Sequence, residues 1–282
     1  MIIANRSIRS STSRRSFESR ISMPNESRGR EWLVETARLA LEFGRLTMEV
    51  GASAHYVEEV ARQVALGLGA ERMDLRVGYA SLTITLGSGA EEVTRVGKVG
   101  PLGVNQSFYH ALRVLALRIE QENLTPEEVR TELDQLLQAS KRHPDWIVAL
   151  AVGIACAAFA RLLDADWRAV GPIFIAATLG QLVRRLLALR HVNVFLAAVV
   201  VAFVGAIVSG LGARWAGSQT IALDMVVPAV LLVPGVPSFN AQLDILEGRP
   251  TLGSARAVWV AVMLIAMAVG VWLALGVMGE GR

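Results

Sequence analysis

Between Trp146 and Arg282 lie five apolar runs, each close to the length that crosses a bilayer, and nothing else in the chain limits its fold so strongly. A spanning helix needs about 20 mostly apolar residues, because the hydrocarbon layer is about 30 Å thick and an α-helix rises about 1.5 Å per residue. The runs cover about Trp146–Leu163, Ala169–Leu189, His191–Ala213, Thr220–Leu246 and Ala257–Gly279. A core helix of a water-soluble protein keeps a polar face. The third and fifth runs are apolar all round, which fits lipid. These 137 residues carry 9 Lys+Arg and 6 Asp+Glu, against 19 and 19 in the first 145, so only the first half is charged like a soluble domain. The sequence therefore predicts an α+β amino-terminal domain followed by an all-α membrane domain of about five transmembrane helices. The domains are expected at 1–28 (a disordered basic tail), 29–143 (the α+β domain) and 144–282 (the membrane domain).

Lys and Arg at the helix ends set the orientation. Lys141, Arg142, Arg184, Arg185, Arg190, Arg249 and Arg256 fall on one side, and Arg161, Arg168, Arg214 and Arg282 on the other. The richer side is expected to be cytoplasmic, so the soluble half is cytoplasmic and the C-terminus lies outside. A net charge of +3, with the charges of the first half cancelling, argues against a nucleic-acid binder. The single cysteine, Cys156, excludes an intramolecular disulfide and a Cys-based zinc site.

Residues 1–28 are rich in Arg and Ser and poor in large apolar groups, so they are expected to stay disordered. Ser13-Arg14-Arg15-Ser16-Phe17 looks like a twin-arginine export signal, but no apolar segment follows it. A true start at Met23 also fits. A helix is expected over about Arg30–Val50, with Leu33, Ala37, Leu41, Gly44 and Met48 on one stripe. Ser53 is placed to cap the next helix, which buries Val57, Val60, Val64 and Leu68. The period then drops to two through Met73, Leu75 and Val77, and through Leu82, Ile84 and Leu86. Gly87-Ser88-Gly89 is expected to turn into a third strand near Glu92–Lys98. A helix with Phe108, Leu112, Leu115 and Ile119 follows. Thr125-Pro126-Glu127-Glu128 then opens another with a capping box, carrying Val129, Leu133, Leu136 and Leu137 inward.

No catalytic, cofactor or metal site is legible in this half. His55 and Glu58 share a helix face without further ligands, no GxSxG elbow occurs, and Gly97–Gly103 is not a phosphate loop. The informative segment lies in the fourth apolar run, from Val227 to Asn240, where Pro228, Pro234, Gly235 and Pro237 rule out a continuous helix. A helix broken at membrane depth lines a cavity or packs inside protein, and many transporters build a midplane site this way. Gly235 at the break, with Ser238 and Asn240 after it, is placed to hydrogen-bond a small polar solute. Asp224 and Asp244 flank the run. Each lies either inside the membrane, where an Asp costs about 2.5–3.5 kcal/mol on insertion scales, or at an interface. Gln181 and Thr178 of the second span leave the same two readings open.

The stretches Gly51-Ala52-Ser53 with Tyr56-Val57-Glu58, Ser81-Leu82-Thr83, Thr94-Arg95-Val96 and Gly103-Val104-Asn105 resemble the cytoplasmic domain of the threonine/serine exporter (ThrE) family. Leu232-Val233-Pro234-Gly235-Val236-Pro237 with Asn240 looks like that family's proline-glycine motif. The likeness covers residues 30–280 and is nearest the split, half-length members of the YjjP type. It implies a bacterial inner-membrane exporter subunit for a small polar solute, either a threonine/serine-type amino acid or a succinate-type dicarboxylate. It also implies a second small membrane subunit as partner, and an oligomer. No ATP-binding motif occurs, so the proton gradient is the expected drive. The alternatives are a membrane-anchored enzyme or sensor acting through 29–143, and a structural subunit whose partner holds the path. The orientation is checked by alkaline phosphatase fusions: a fusion after Gly217 is expected to be active and one after Arg190 inactive, and the reverse pattern overturns it.

Overall fold

The computed structural model describes residues 29–139, 144–230 and 232–280. The expectations for residues 1–28, including a start at Met23, lie outside that range. The chain forms two compact units, divided between residues 140 and 141.

In the first unit, α1 (Arg30–Glu49) and α2 (Ala54–Gly67) pack together over a sheet of β1 (Arg72–Val77), β2 (Ser81–Ser88) and β3 (Glu91–Lys98). The sheet is an antiparallel meander in the order β1-β2-β3. Leu75 pairs with Ile84 and Leu86 with Val93, and this register puts Leu82, Ile84 and Leu86 on the buried face. The side-chain period of a strand is two, so a slip by one residue would expose all three. Gly44 of α1 lies where α2 and β2 meet: a Cβ there would sit 3.5 Å from both Ala61 and Leu82. Then come α3 (Gln106–Glu122) and α4 (Pro126–Ala139). The capping box at Thr125 is reciprocal. The Thr125 N–H donates to Glu128 Oε2 at 2.8 Å, and the Glu128 N–H donates to Thr125 Oγ1 at 3.3 Å.

Three local expectations change. The β2–β3 turn is Gly89-Ala90 alone: Gly87 and Ser88 stay paired with Glu92 and Glu91, and the positive φ of 57° falls on Gly89. Ser53 holds the N-cap position of α2 without a side-chain bond, and its hydroxyl is buried with no partner. Leu137 is exposed, because α4 buries only Val129 and Leu133.

The described part of the second unit is built of helices and turns: α5 (Asp145–Leu162), α6 (Val170–Leu189), α7 (Val194–Trp215), α8 (Ile221–Val230), α9 (Gly235–Leu246) and α10 (Pro250–Met278). Four of its segments are long and apolar enough to cross a membrane, and the bent pair α8–α9 makes a fifth if it is one span. Small residues bring these helices close, as expected where lipid gives no hydrophobic drive for association. A Cβ on Gly210 would lie 2.7 Å from Met225 Cγ, one on Gly212 2.8 Å from Pro172 Cβ, and one on Gly270 2.9 Å from Ala202 Cβ. The large apolar side chains Leu196, Ile265, Trp272 and Val277 point outward instead.

Two boundaries move. The α7 helix begins at Val194, not at His191, because Asn193 Oδ1 accepts the Phe195 N–H at 2.9 Å and His191 turns the chain at φ 52°. The α10 helix begins at Pro250, not near Ala257. Proline suits a first helical position, where its missing N–H would have had no intrahelical acceptor. Arg256 is therefore inside a helix and only 3% exposed, not in a loop.

Candidate functional site in the broken fourth span

The break falls between Val230 and Gly235, and the two halves meet at 64°. Of the three prolines, only Pro234 is at the break. Pro228 lies inside α8 and Pro237 in the first turn of α9.

Each proline has a local answer for its backbone cost. Pro228 has no N–H for the carbonyl four residues back, that of Asp224. Ser209 Oγ of α7 supplies a donor to that carbonyl at 2.7 Å, while Gly205, one turn earlier on α7, leaves room for the Pro228 ring. A helix start leaves four N–H groups without intrahelical acceptors. At α9 two of them do not exist, because Pro234 and Pro237 hold those positions, and a third, Gly235 N–H, donates to Val233 O at 2.8 Å. On the other side, the Leu232 N–H donates to Ala229 O and the Val233 N–H to Val230 O, at 2.9 and 3.1 Å. Cys156 Sγ donates to Val227 O at 3.8 Å. Thus the backbone at the break is largely satisfied from within.

Gly235 is exposed, with no atom within 4 Å of where a Cβ would stand. Ser238 Oγ donates to Pro234 O at 2.8 Å, so its proton is committed to the break. Asn240 is 8% exposed and shares the buried face of α9 with Ala241 and Asp244. Gln181 of α6 reaches the break: with Gly205, Pro228 and Leu232 it lines a cavity of about 10 Å³, on the order of one water. Thr178 instead donates to Phe174 O of its own helix at 2.8 Å.

Asp224 sits apart from these groups, in the first turn of α8, and is fully buried. Ser218 Oγ donates to its Oδ2 at 2.6 Å and Thr220 Oγ1 to its Oδ1 at 3.0 Å. Thr220 in turn accepts the Asp166 N–H at 2.9 Å. The backbone N–H groups of Arg168 and Gln219 hold the Asp166 carboxyl below its ordinary range. Asp244, at the far end of α9, is also fully buried and accepts from Arg256 NH1 at 2.6 Å. Both aspartates are therefore buried and held. Sequence reasoning missed Ser209 and Arg256. The carbonyl that Pro228 frees called for a donor on a neighbouring helix, and Pro250 marked the early start that carries Arg256 into α10.

The family described as "Putative threonine/serine exporter" (ThrE) matches residues 38–278. The chain belongs to the ThrE family. It is 28% identical over 243 residues to a protein of Escherichia coli K12 named "Probable succinate transporter subunit YjjP", covering 86% of this chain and 94% of that one. The Klebsiella aerogenes protein of the same name is 27% identical, covering 86% and 93%. An "Uncharacterized protein" of Haemophilus influenzae is 24% identical over 137 residues, covering 49% of this chain and 46% of that one. No solved structure matches the chain.

The Ser209 bond gives a direct check. Ser209→Ala leaves the Asp224 carbonyl buried without that donor, an expected cost of about 1–3 kcal/mol. Thermal unfolding in detergent should show a lowered Tm, while Ser209→Thr, which keeps a hydroxyl, should lose less. An unchanged Tm for Ser209→Ala would mean the Pro228 site finds its donor elsewhere.

Proposed function

We propose that this protein is a subunit of an inner-membrane secondary exporter of small polar metabolites. Its path runs along the broken span α8–α9. The observation that carries this reading is the break itself: α9 restarts inside the apolar unit with a buried amide, Asn240, and a buried carboxylate, Asp244, on one face. Polar groups buried within a spanning segment are costly and belong to solute or ion pathways more often than to lipid-facing packing. Within the path, Asn240 and Gln181 offer amides to the solute. Ser238 offers its lone pairs, and Gly235 leaves backbone space. Asp224 marks the outer end of the path, held by its two hydroxyls.

Membership in a family described as exporters supports transport rather than catalysis. The substrate is a threonine- or serine-type amino acid or a succinate-type dicarboxylate. The relatives named as transporter subunits support a second membrane subunit as partner, and the proton gradient as drive follows from the lack of an ATP-binding motif. In this reading the soluble unit faces the cytoplasm and the C-terminus the periplasm.

Asn240→Ala tests the reading. The variant should reach the membrane in normal amount, since an amide-to-methyl change makes α9 more apolar, yet export should fall about tenfold, the scale of one lost hydrogen bond. Full export by Asn240→Ala would transfer the path to the partner subunit and leave this chain a structural role.

A further inference from the structure

Three aspartates of the second unit are held in three chemically different ways. Asp244 accepts from Arg256, whose guanidinium has donors only and cannot take a bond from a protonated acid. Asp166 accepts the Arg168 and Gln219 N–H groups, also fixed donors, which hold its carboxyl below the ordinary range. Asp224 is fully buried and forms no ion pair with any described cation. Both bonds to its carboxylate come from hydroxyls, Ser218 Oγ and Thr220 Oγ1. A hydroxyl donates or accepts according to how it is turned. A side chain placed only to cap the start of α8 would accept backbone N–H groups. The Asp224 carboxylate accepts none among the described residues: the Thr220 N–H goes to Ser218 Oγ and the Asp224 N–H to Thr220 O.

The two hydroxyls lie 3.3 Å apart. Each already accepts one N–H, Ser218 that of Thr220 at 3.2 Å and Thr220 that of Asp166 at 2.9 Å, so each keeps a second lone pair. A proton added to Asp224 Oδ2 is thus accommodated by turning one hydroxyl. The new Asp224 O–H donates to Ser218 Oγ, and Ser218 swings its own proton from Asp224 to Thr220 Oγ1. Thr220 goes on donating to Oδ1. No buried group loses its partner in either charge state, which neither Asp244 nor Asp166 could match.

We propose that Asp224 carries the transported proton, taking it up through Ser218 and Thr220. The proposal rests on the transport reading above and names the residue behind its proton drive. A proton needs no cavity and no opening of the helices, only rotation of hydroxyls. Its entrance is at hand: Gln219 is exposed and Thr220 half-buried, in the loop that the arginine distribution puts outside. The charged groups on the elements around this end are Arg161 of α5, Asp164, Asp166 and Arg168 between α5 and α6, Arg214 of α7, and Glu280 after α10; α6 brings none here. The cations are engaged elsewhere. Arg161 lies over the Trp167 ring, Arg168 donates to Gly217 O, and Arg214 pairs with Glu280. Asp224 also stands on the half-helix that ends at the break, about 9 Å along its axis from Val230. In each cycle one proton enters from outside onto Asp224 and leaves to the cytoplasm as one solute moves outward.

The test uses everted membrane vesicles from cells producing the full-length protein with its partner subunit, with radiolabelled L-threonine and succinate as probes. Wild type is expected to accumulate one of them when the lumen is acid, by about tenfold per pH unit at one proton per solute, and to lose this when an ionophore collapses the gradient. Counterflow, which needs no gradient, is the second readout. Asp224→Asn is expected to lose driven accumulation about tenfold more than it loses counterflow, whereas Asp224→Glu, which keeps an acid, should retain a driven component. Infrared difference spectra of the purified complex give a check that needs no neutral variant: acidification should add a protonated-carboxyl band that Asp224→Glu shifts. If Asp224→Asn accumulates solute as wild type does, or no such band shifts, the proton is carried elsewhere and the proposal fails while the transport reading stands. The same holds if wild type shows counterflow but no response to the gradient. If wild type moves neither probe in either mode, the transport reading fails and the proposal with it.

Discussion

A helix that stops inside an apolar layer leaves backbone donors and acceptors where no water can reach them, and each one left unpaired costs several kcal/mol. The fourth span meets this constraint with a set of matched substitutions for the missing ladder bonds. Ser209 donates to the carbonyl that Pro228 strands. Pro234 and Pro237 delete two N–H groups that the start of α9 would otherwise leave without acceptors. Ser238 folds its hydroxyl back on Pro234. The prolines that break the helix thus also lower the number of groups the break would orphan. Beyond the break, Asn240 and Asp244 share the buried face of α9, and Arg256 of α10 donates to Asp244.

The same constraint governs where charge is placed. Asp224 and Asp244 are both fully buried, at opposite ends of the broken pair, and each is held in its own way. Asp224 is solvated by two loop hydroxyls, a substitute for water at the end of a span. Asp244 is matched by a full positive charge. The close helix crossings at Gly210, Gly212 and Gly270, and that of Gly253 against α9, leave little slack in the unit.

Much of this was legible in the residues. Apolar length and the lack of charge predicted the spans, because an apolar run of about 20 residues spans the hydrocarbon as a helix whose backbone bonds are all internal. Alternation in Met73–Leu86 predicted the meander, and Thr125-Pro126-Glu127-Glu128 its capping box. What was hidden depends on contacts distant in sequence. Nothing local says that the Asp224 carbonyl finds Ser209, or that Asp244 finds Arg256 twelve residues on. Arg256 read as a loop charge because the apolar run begins after it, while the helix itself begins at Pro250. Ser53 has the residue type and position of a cap, yet its hydroxyl is turned into the core, since burial there depends on packing and not on the local motif. The site residues Gly235, Ser238 and Asn240 were singled out by the break alone. Sequence could not show that Ser238 spends its proton on the backbone.

The central claim is that the break opens onto the solute's path, and cysteine accessibility at Gly235 tests it most directly. The position has open space for a side chain, and the native Cys156 is buried and is replaced by Ser to keep its donor. In that background, Gly235→Cys is expected to react with a membrane-impermeant thiol reagent, and added solute should slow the reaction. A control cysteine at Ile265, in the middle of the outward apolar face of α10, should not react. A Gly235→Cys thiol that stays unreactive from both sides of the membrane, in a protein that still exports, would show that the break faces lipid or protein and would contradict the account.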